Sequence, residues 1–144
     1  MGPVTTGSDI EADAVSTRSD IPRSTAAIVA ELGTTTGCIE VSTATDTREA
    51  AQQLARSAVE ARLVAGAQIV GPVESVFWHL GEFGVGQEWR LSLKTHISRF
   101  KELEAHLLEH HPWSNPEVSA VPIVAGSDGY LDWIRRMTDV DSDE

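Results

Sequence analysis

Residues 67–95 read AQIVGPVESVFWHLGEFGVGQEWRLSLKT. Two apolar runs, rich in β-branched and aromatic residues, flank a glycine-rich segment at 81–87, the pattern of a β-hairpin with a longish loop. At about 3.3 Å per residue the first arm, 67–80, reaches roughly 45 Å, against ~17–20 Å for an ordinary strand. The Gly71-Pro72 step interrupts it. Proline has no N–H and glycine accepts bulge geometry, so a kink and a sheet-edge position are expected there. A chain of 144 residues cannot cover so long a ribbon with its own strands. An uncovered apolar edge invites pairing with another copy, and oligomerisation through the hairpin is the first expectation.

Length and composition set the outer limits. The chain can form one domain with a modest core. Its formal net charge is −11, from 22 acidic and 11 basic residues. That disfavours nucleic acid and anionic membranes, which select for positive patches, and suits cation association or simple solubility. The single cysteine, Cys38, rules out an intrachain disulfide and a complete cysteine zinc site. No apolar run approaches the ~18 residues of a membrane span, and the N-terminus lacks the basic start and apolar core of a secretory signal. A cytoplasmic location is the resulting expectation.

Working outward from the hairpin, residues 1–37 are rich in Ser, Thr, Asp and Ala. They read as a disordered or loosely docked arm, with a candidate short helix at 25–32. A first strand is expected at 38–43. Asp46 and Glu49 make a capping box for a helix reaching about Leu63, with Ala51, Leu54, Ala55, Ala58 and Leu63 as its apolar stripe and Gly66 ending it. The hairpin arms follow, the second at 88–95. Ser98 is a candidate N-cap for a second helix to about His110, burying Phe100, Leu103, Leu107 and Leu108; the step into Pro112 stops it. A fourth strand is expected at 118–124, with Pro122 suiting an edge. A terminal helix presents Tyr130, Leu131, Trp133, Ile134 and Met137, before an acidic tail at 138–144. The β-α-β-β-α-β order predicts an α+β, ferredoxin-like sandwich over 38–137, with an antiparallel sheet, helices on one face and an extra C-terminal helix.

The segments Leu63-Val-Ala-Gly-Ala-Gln-Ile, Ser75-Val-Phe-Trp-His-Leu-Gly81, Glu88 with Leu91-Ser-Leu-Lys94-Thr95, His111-Pro-Trp-Ser-Asn-Pro-Glu117, and Pro122-Ile-Val-Ala-Gly126 through Tyr130-Leu-Asp-Trp133 stand in order along the chain. Together they resemble the CutA divalent-cation-tolerance proteins over about Cys38 to Arg136. The resemblance implies the same fold, an interlocked homotrimer like the PII nitrogen-signalling proteins, metal-ion tolerance and copper binding, with no established reaction. Departures from the family pattern are visible. The family commonly has a cysteine followed by Val-Asn after the first helix, where this chain has Gly66-Ala67-Gln68. That cysteine is the family's most discussed metal ligand. The family's Tyr-x-Trp becomes Phe77-Trp78-His79, and its His-Pro-Tyr becomes His111-Pro112-Trp113.

Candidate chemistry gathers at several points, each with a framework reading beside it. His106 and His110 share a helix face at i,i+4, a spacing that can grip one metal ion if a third ligand such as Glu102 or a partner residue completes it. They equally suit a helix C-terminus as solvated groups. His111 and Glu117 could ligate a cation or move protons, or simply fix the turn into the last strand. His79 and Phe77 share one strand face, opposite Trp78, and with Trp113 could line a ligand cleft or pack between subunits. Lys94 could neutralise an anion or pair with Glu117 or Glu88. Cys38 reads as a buried small residue. Glycines 81, 84 and 86 precede no helix and make no phosphate cradle. Three functions follow: a homotrimer taking Cu2+, another divalent cation or a small molecule in inter-subunit clefts; an enzyme using His111 or His79 as base with Glu117 or Lys94 polarising an organic substrate; or a regulatory trimer whose arm binds a partner protein.

Overall fold

The computed structural model describes residues 36–139. The expected N-terminal arm, apart from Thr36 and Gly37, lies outside the described residues, as do the candidate helix at 25–32 and residues 140–144. The elements are β1 (Cys38–Thr45), α1 (Arg48–Glu60), β2 (Gly66–His79), β3 (Glu82–His96), a 3-10 turn (Ile97–Arg99), α2 (Phe100–His110), β4 (Ser119–Pro122) and α3 (Asp128–Thr138). The strands form one antiparallel sheet in the order β2-β3-β1-β4. This is the expected α+β, ferredoxin-like arrangement, and Pro72 and Pro122 both sit on edge strands as their missing N–H requires.

Alternation along β1 divides the sheet into two faces. Ile39 and Val41 point into the main core with Leu91 and Leu93 of β3, and Ala51, Leu54, Ala55 and Ala58 of α1 and Phe100, Leu103 and Leu107 of α2 close over them. Leu108, expected in that face, is exposed, because the buried stripe of α2 runs 100-103-107 and leaves position 108 on its flank. Cys38 points the other way, into a small second cluster with Leu131 and Ile134 of α3. The three helices therefore do not share one face: α3 covers one end of the opposite side, and Tyr130, expected in its packed stripe, is exposed.

Element ends differ from expectation where local chemistry is subtler than composition. The N-cap of α1 is Thr47, whose hydroxyl accepts from Ala50 N at 3.1 Å; β1 runs on to Thr45, so Asp46 falls outside the helix. The same helix ends at Glu60 and not near Gly66, which opens β2. Arg62 takes the left-handed conformation (φ 61°), and the bonds Arg62 N to Val59 O and Leu63 N to Ala58 O make a Schellman closure with arginine in the usual glycine place. His96, two residues before the expected Ser98, caps the turn into α2 by accepting from Ser98 N at 3.1 Å.

The hairpin is longer and tighter than the glycine content suggested. Its turn is only Leu80-Gly81, both at positive φ (52° and 82°), the two-residue type I′ geometry that matches strand twist. Gly84 and Gly86, expected in the loop, lie within β3 opposite Phe77 and Ser75. A Cβ at Gly84 would collide with the Phe77 ring, so glycine there is a packing requirement of the strand. The register shifts between Val70 and Val73 at the cis Gly71-Pro72 peptide. Val70 pairs Arg90, whereas Val73 pairs Glu88, so β2 carries one extra residue. The bulge exchanges the two faces of β2. Ile69 opposes Leu91 on the helix side, while beyond it Val73, Ser75, Phe77 and His79 oppose Glu88, Gly86, Gly84 and Glu82 on the open side.

Candidate functional site

The open side of the sheet, between α3 and the hairpin turn, concentrates the polar side chains. Glu40 of β1 stands opposite Lys94 of β3, and Ser42 opposite Ser92. Lys94 Nζ donates to Ser92 Oγ at 2.8 Å and lies 3.7 Å from the Glu40 carboxylate, and Ser92 Oγ donates to Glu40. Lys94 therefore pairs with Glu40 and not with the expected Glu117 or Glu88, because strand register sets its neighbour. Glu117 instead takes a two-pronged contact from Arg90 (3.2 and 3.3 Å) and a hydrogen bond from Ser119 Oγ at 2.8 Å. Glu88 is nearly buried. Burial pushes its carboxyl above the usual range, against the opposing hydrogen bond from Ser75 and the Arg90 charge. Phe77 and His79 extend this face toward the turn.

The histidines separate into distinct environments. His111 is buried and both ring nitrogens are engaged. Nε2–H donates to Ala44 O at 2.8 Å, and Nδ1 accepts from Trp113 N at 3.0 Å. Burial holds its pKa below the usual imidazole range, against the Ala44 bond and Asp46. The ring pins the exit of α2 to the end of β1, which leaves neither nitrogen open to a metal or substrate. Trp113 packs on it, ring centroids 5.2 Å apart.

His106 and His110 lie on the opposite, helical layer. Their rings are 4.2 Å apart and inclined by 30°. Ser57 of α1 meets His106 Nε2 at 2.9 Å, and His110 Nδ1 meets His106 O at 2.8 Å. An open cavity of about 280 Å³ adjoins them, lined by Ala50, Gln53, Leu54, Ser57, His110 and Pro112.

The candidates named from sequence thus fall in three places: Phe77, His79, Lys94 and Glu117 on the open sheet face, His106 and His110 on the helices, and His111 with Trp113 in the framework between. Glu102 is tied to Arg99 at 3.0 Å. Among the described residues, no group of three or more His, Cys, Asp or Glu side chains is placed to hold a metal ion. Sequence reading missed Glu40, Arg90 and Ser57. Each acquires its meaning only through a cross-strand or cross-helix neighbour, and no local motif marks it. Gly66 faces Trp133 of α3: a Cβ would come within 3.1 Å of that ring.

Comparison with known proteins agrees with this architecture. The sequence profile of the CutA1 divalent ion tolerance protein family matches residues 39–137. The chloroplastic protein CutA of Arabidopsis thaliana is 40% identical over 91 residues, 63% of this chain and 50% of that protein. The divalent-cation tolerance protein CutA of Thermus thermophilus is 38% identical over 90 residues, 62% of this chain and 87% of that one. The chain thus spans about half the length of its plant relative. The solved structure of the divalent cation tolerance protein (Cut A1) from Thermus thermophilus superposes with a TM-score of 0.68 at 35% identity, covering 70% of this chain and 98% of that one. Among the described residues no helix is long and apolar enough to cross a membrane. From the extent of the profile match, the agreement in fold and the shared identity, the chain belongs to the CutA1 divalent ion tolerance protein family.

Proposed function

We propose that this chain works as a homotrimer that responds to divalent metal ions, with its ligand, Cu2+, another divalent cation or a small molecule, held in clefts between subunits. The observation that carries this reading is the outer half of the hairpin. Val76, Trp78, Phe83 and Val85 are each more than half exposed. They form two directly opposed cross-strand pairs on one side, with Trp78 and Phe83 in edge-to-face contact at 6.2 Å. An apolar ribbon of this size standing clear of its own domain is an interaction surface. A closed ring of identical subunits covers every copy of it.

The open sheet face supplies the polar half of the argument. Lys94, Glu40, Arg90 and Glu117 form ion pairs that are only partly exposed within one chain, and Phe77 and His79 flank them. A neighbour docked on the ribbon would bring further groups to this face and enclose a cleft there, with Trp113 nearby in sequence to Glu117. The single, buried Cys38 suits a reducing compartment, and a cytoplasmic location belongs to the same reading.

Sedimentation equilibrium tests the assembly. The expected mass is three times the 15.5 kDa chain, and Trp78→Glu should reduce it to one. A stable, folded single chain at micromolar concentration overturns the proposal. Expression in cells lacking their own homologue should raise the tolerated copper concentration, and Trp78→Glu should remove that gain.

A further inference from the structure

We propose that Glu88 couples self-association of this chain to proton uptake: covering the open sheet face with a neighbouring copy draws a proton onto each Glu88, so acid tightens the assembly. The inference rests on the homotrimer reading above and adds a chemical control to it.

Strand geometry leaves this carboxylate short of positive charge. Glu88 and Arg90 are two apart on β3 and share the open face. Across the ladder β2 offers Glu88 only Val73 directly opposite and Ser75 on the diagonal. On the other side β1 ends at Thr45, opposite Trp89, one residue short of Glu88. The segment leading into β4 brings a second carboxylate, Glu117, and it occupies both arms of the guanidinium: Arg90 Nη1 donates to Oε1 at 3.2 Å and Nη2 to Oε2 at 3.3 Å. Lys94, four residues beyond Arg90 on the same face, lies 3.7 Å from Glu40. Two carboxylates therefore compete for Arg90. The more exposed one holds it, and Glu88, only 7% exposed, takes a hydrogen bond from the Ser75 hydroxyl.

Burial already favours the neutral acid, against Ser75 and Arg90, and the Glu117 charge adds to that preference. Docking removes more of the water that keeps Glu88 charged. The surface that arrives is that of an identical chain with a net charge of −11, so its field acts in the same direction. A closed ring puts every Glu88 in equivalent surroundings, and the neutral carboxyl is the form that tolerates enclosure. A group whose pKa is higher in the assembled state takes up protons on assembly. The added strength is absent well above the assembled value, grows as pH falls through it, and is complete below the single-chain value. A rise of about one unit at each Glu88 corresponds to about tenfold in affinity per chain.

Sedimentation equilibrium of the full chain, repeated from about pH 7.5 down to about pH 5, tests this. Association of the unsubstituted protein should strengthen by about tenfold per chain as the pH falls. Glu88→Gln, neutral throughout, should associate at pH 7.5 at least as tightly as the unsubstituted protein and lose most of that rise. Glu60→Gln, exposed on α1, should keep it. Protonation of the histidines acts on all three proteins alike, so the difference between them reads Glu88. The side-chain carboxyl carbon resonance of Glu88 should also titrate at higher pH in the assembled protein than in single chains of Trp78→Glu. A pH dependence that survives in Glu88→Gln, or a Glu88 resonance that titrates alike in both states, overturns the proposal and leaves the homotrimer standing. A single chain at every pH overturns the homotrimer, and this coupling with it. If Glu88→Gln fails to fold, the resonance comparison decides.

Discussion

The inner and outer halves of the β2–β3 hairpin are made of the same kinds of residues and meet opposite fates. On the helix side of the inner half, Ile69, Leu91 and Leu93 lie under α1 and α2. On the same side of the outer half, Val76, Trp78, Phe83 and Val85 face outward. Trp89 marks the border, packed at the edge of the core with the Arg48 guanidinium 5.7 Å over its ring. Hydropathy alone does not separate these halves. The reach of the helices does: α1 has 13 residues and α2 has 11, about 20 and 16 Å at 1.5 Å per residue, far short of the ribbon. Apolar side chains within that reach stabilise the fold, and those beyond it are left for another surface.

That contrast can be broken most forcefully in the inner half. Leu93 is fully buried, and Leu93→Ala should cost about 3 kcal/mol of unfolding free energy through lost burial and the cavity left behind. Phe83→Ala in the outer half should change the stability of a single chain by less than about 0.5 kcal/mol, as for an exposed site, while weakening self-association. Urea unfolding with sedimentation of the same samples checks both. Equal losses of stability from the two substitutions would show that the halves are not distinct.

A smaller effect concerns what pins the inner half. His111 ties α2 to the end of β1 and is held neutral by burial, and His96 and His106 are also held below the usual range, chiefly by burial. A histidine whose folded pKa is depressed binds protons more readily when unfolded. Its contribution is present above the unfolded pKa of about 6.5 and is lost as pH falls from there toward the folded value. The urea midpoint should therefore drop as the pH falls from about 6.5 toward the depressed folded value, and His111→Gln should flatten that dependence while lowering stability at pH 7.5 by about 1–2 kcal/mol of lost hydrogen bonding. A midpoint indifferent to pH over this interval would remove His111 as a charge-sensitive brace. The smallest effect sits at the far end: Leu80 occupies a left-handed turn position (φ 52°), and Leu80→Gly should stabilise the chain by about 0.5–1 kcal/mol, read as a shift in melting temperature without change in mass.

The element order, the kink at Gly71-Pro72 and the buried stripe of α1 were legible in the sequence because each rests on spacing within a few residues. Three features were not. The Schellman closure at Arg62 lacks the glycine that usually announces it, so the end of α1 was placed at Gly66. Gly84 and Gly86 read as loop because glycine's local preference is for turns, and only the Phe77 ring across the ladder explains them. The placement of α3 on the far face follows from Cys38 alternating away from Ile39, a one-residue distinction too short to weigh in a pattern. At the site, the facing of Phe77 and His79 together and away from Trp78 follows from strand alternation and is found. The partner of Lys94 depends on strand register, and the bond made by His111 Nε2 depends on a carbonyl 67 residues away; neither is written in local sequence.

The extra residue in β2 behaves like a half-turn in a strip of paper. Below it odd-numbered side chains look toward α1 and α2, and above it they look the other way. Shortening the strand there by one position, for example by deleting Gly71, would leave the composition of the ribbon almost untouched. It would nonetheless roll Phe77 and His79 to one side and Trp78 to the other, exchanging the polar sheet face for the exposed apolar one. The identity of the surface that the outer hairpin presents is thus stored in a single backbone insertion and in none of the side chains that form it.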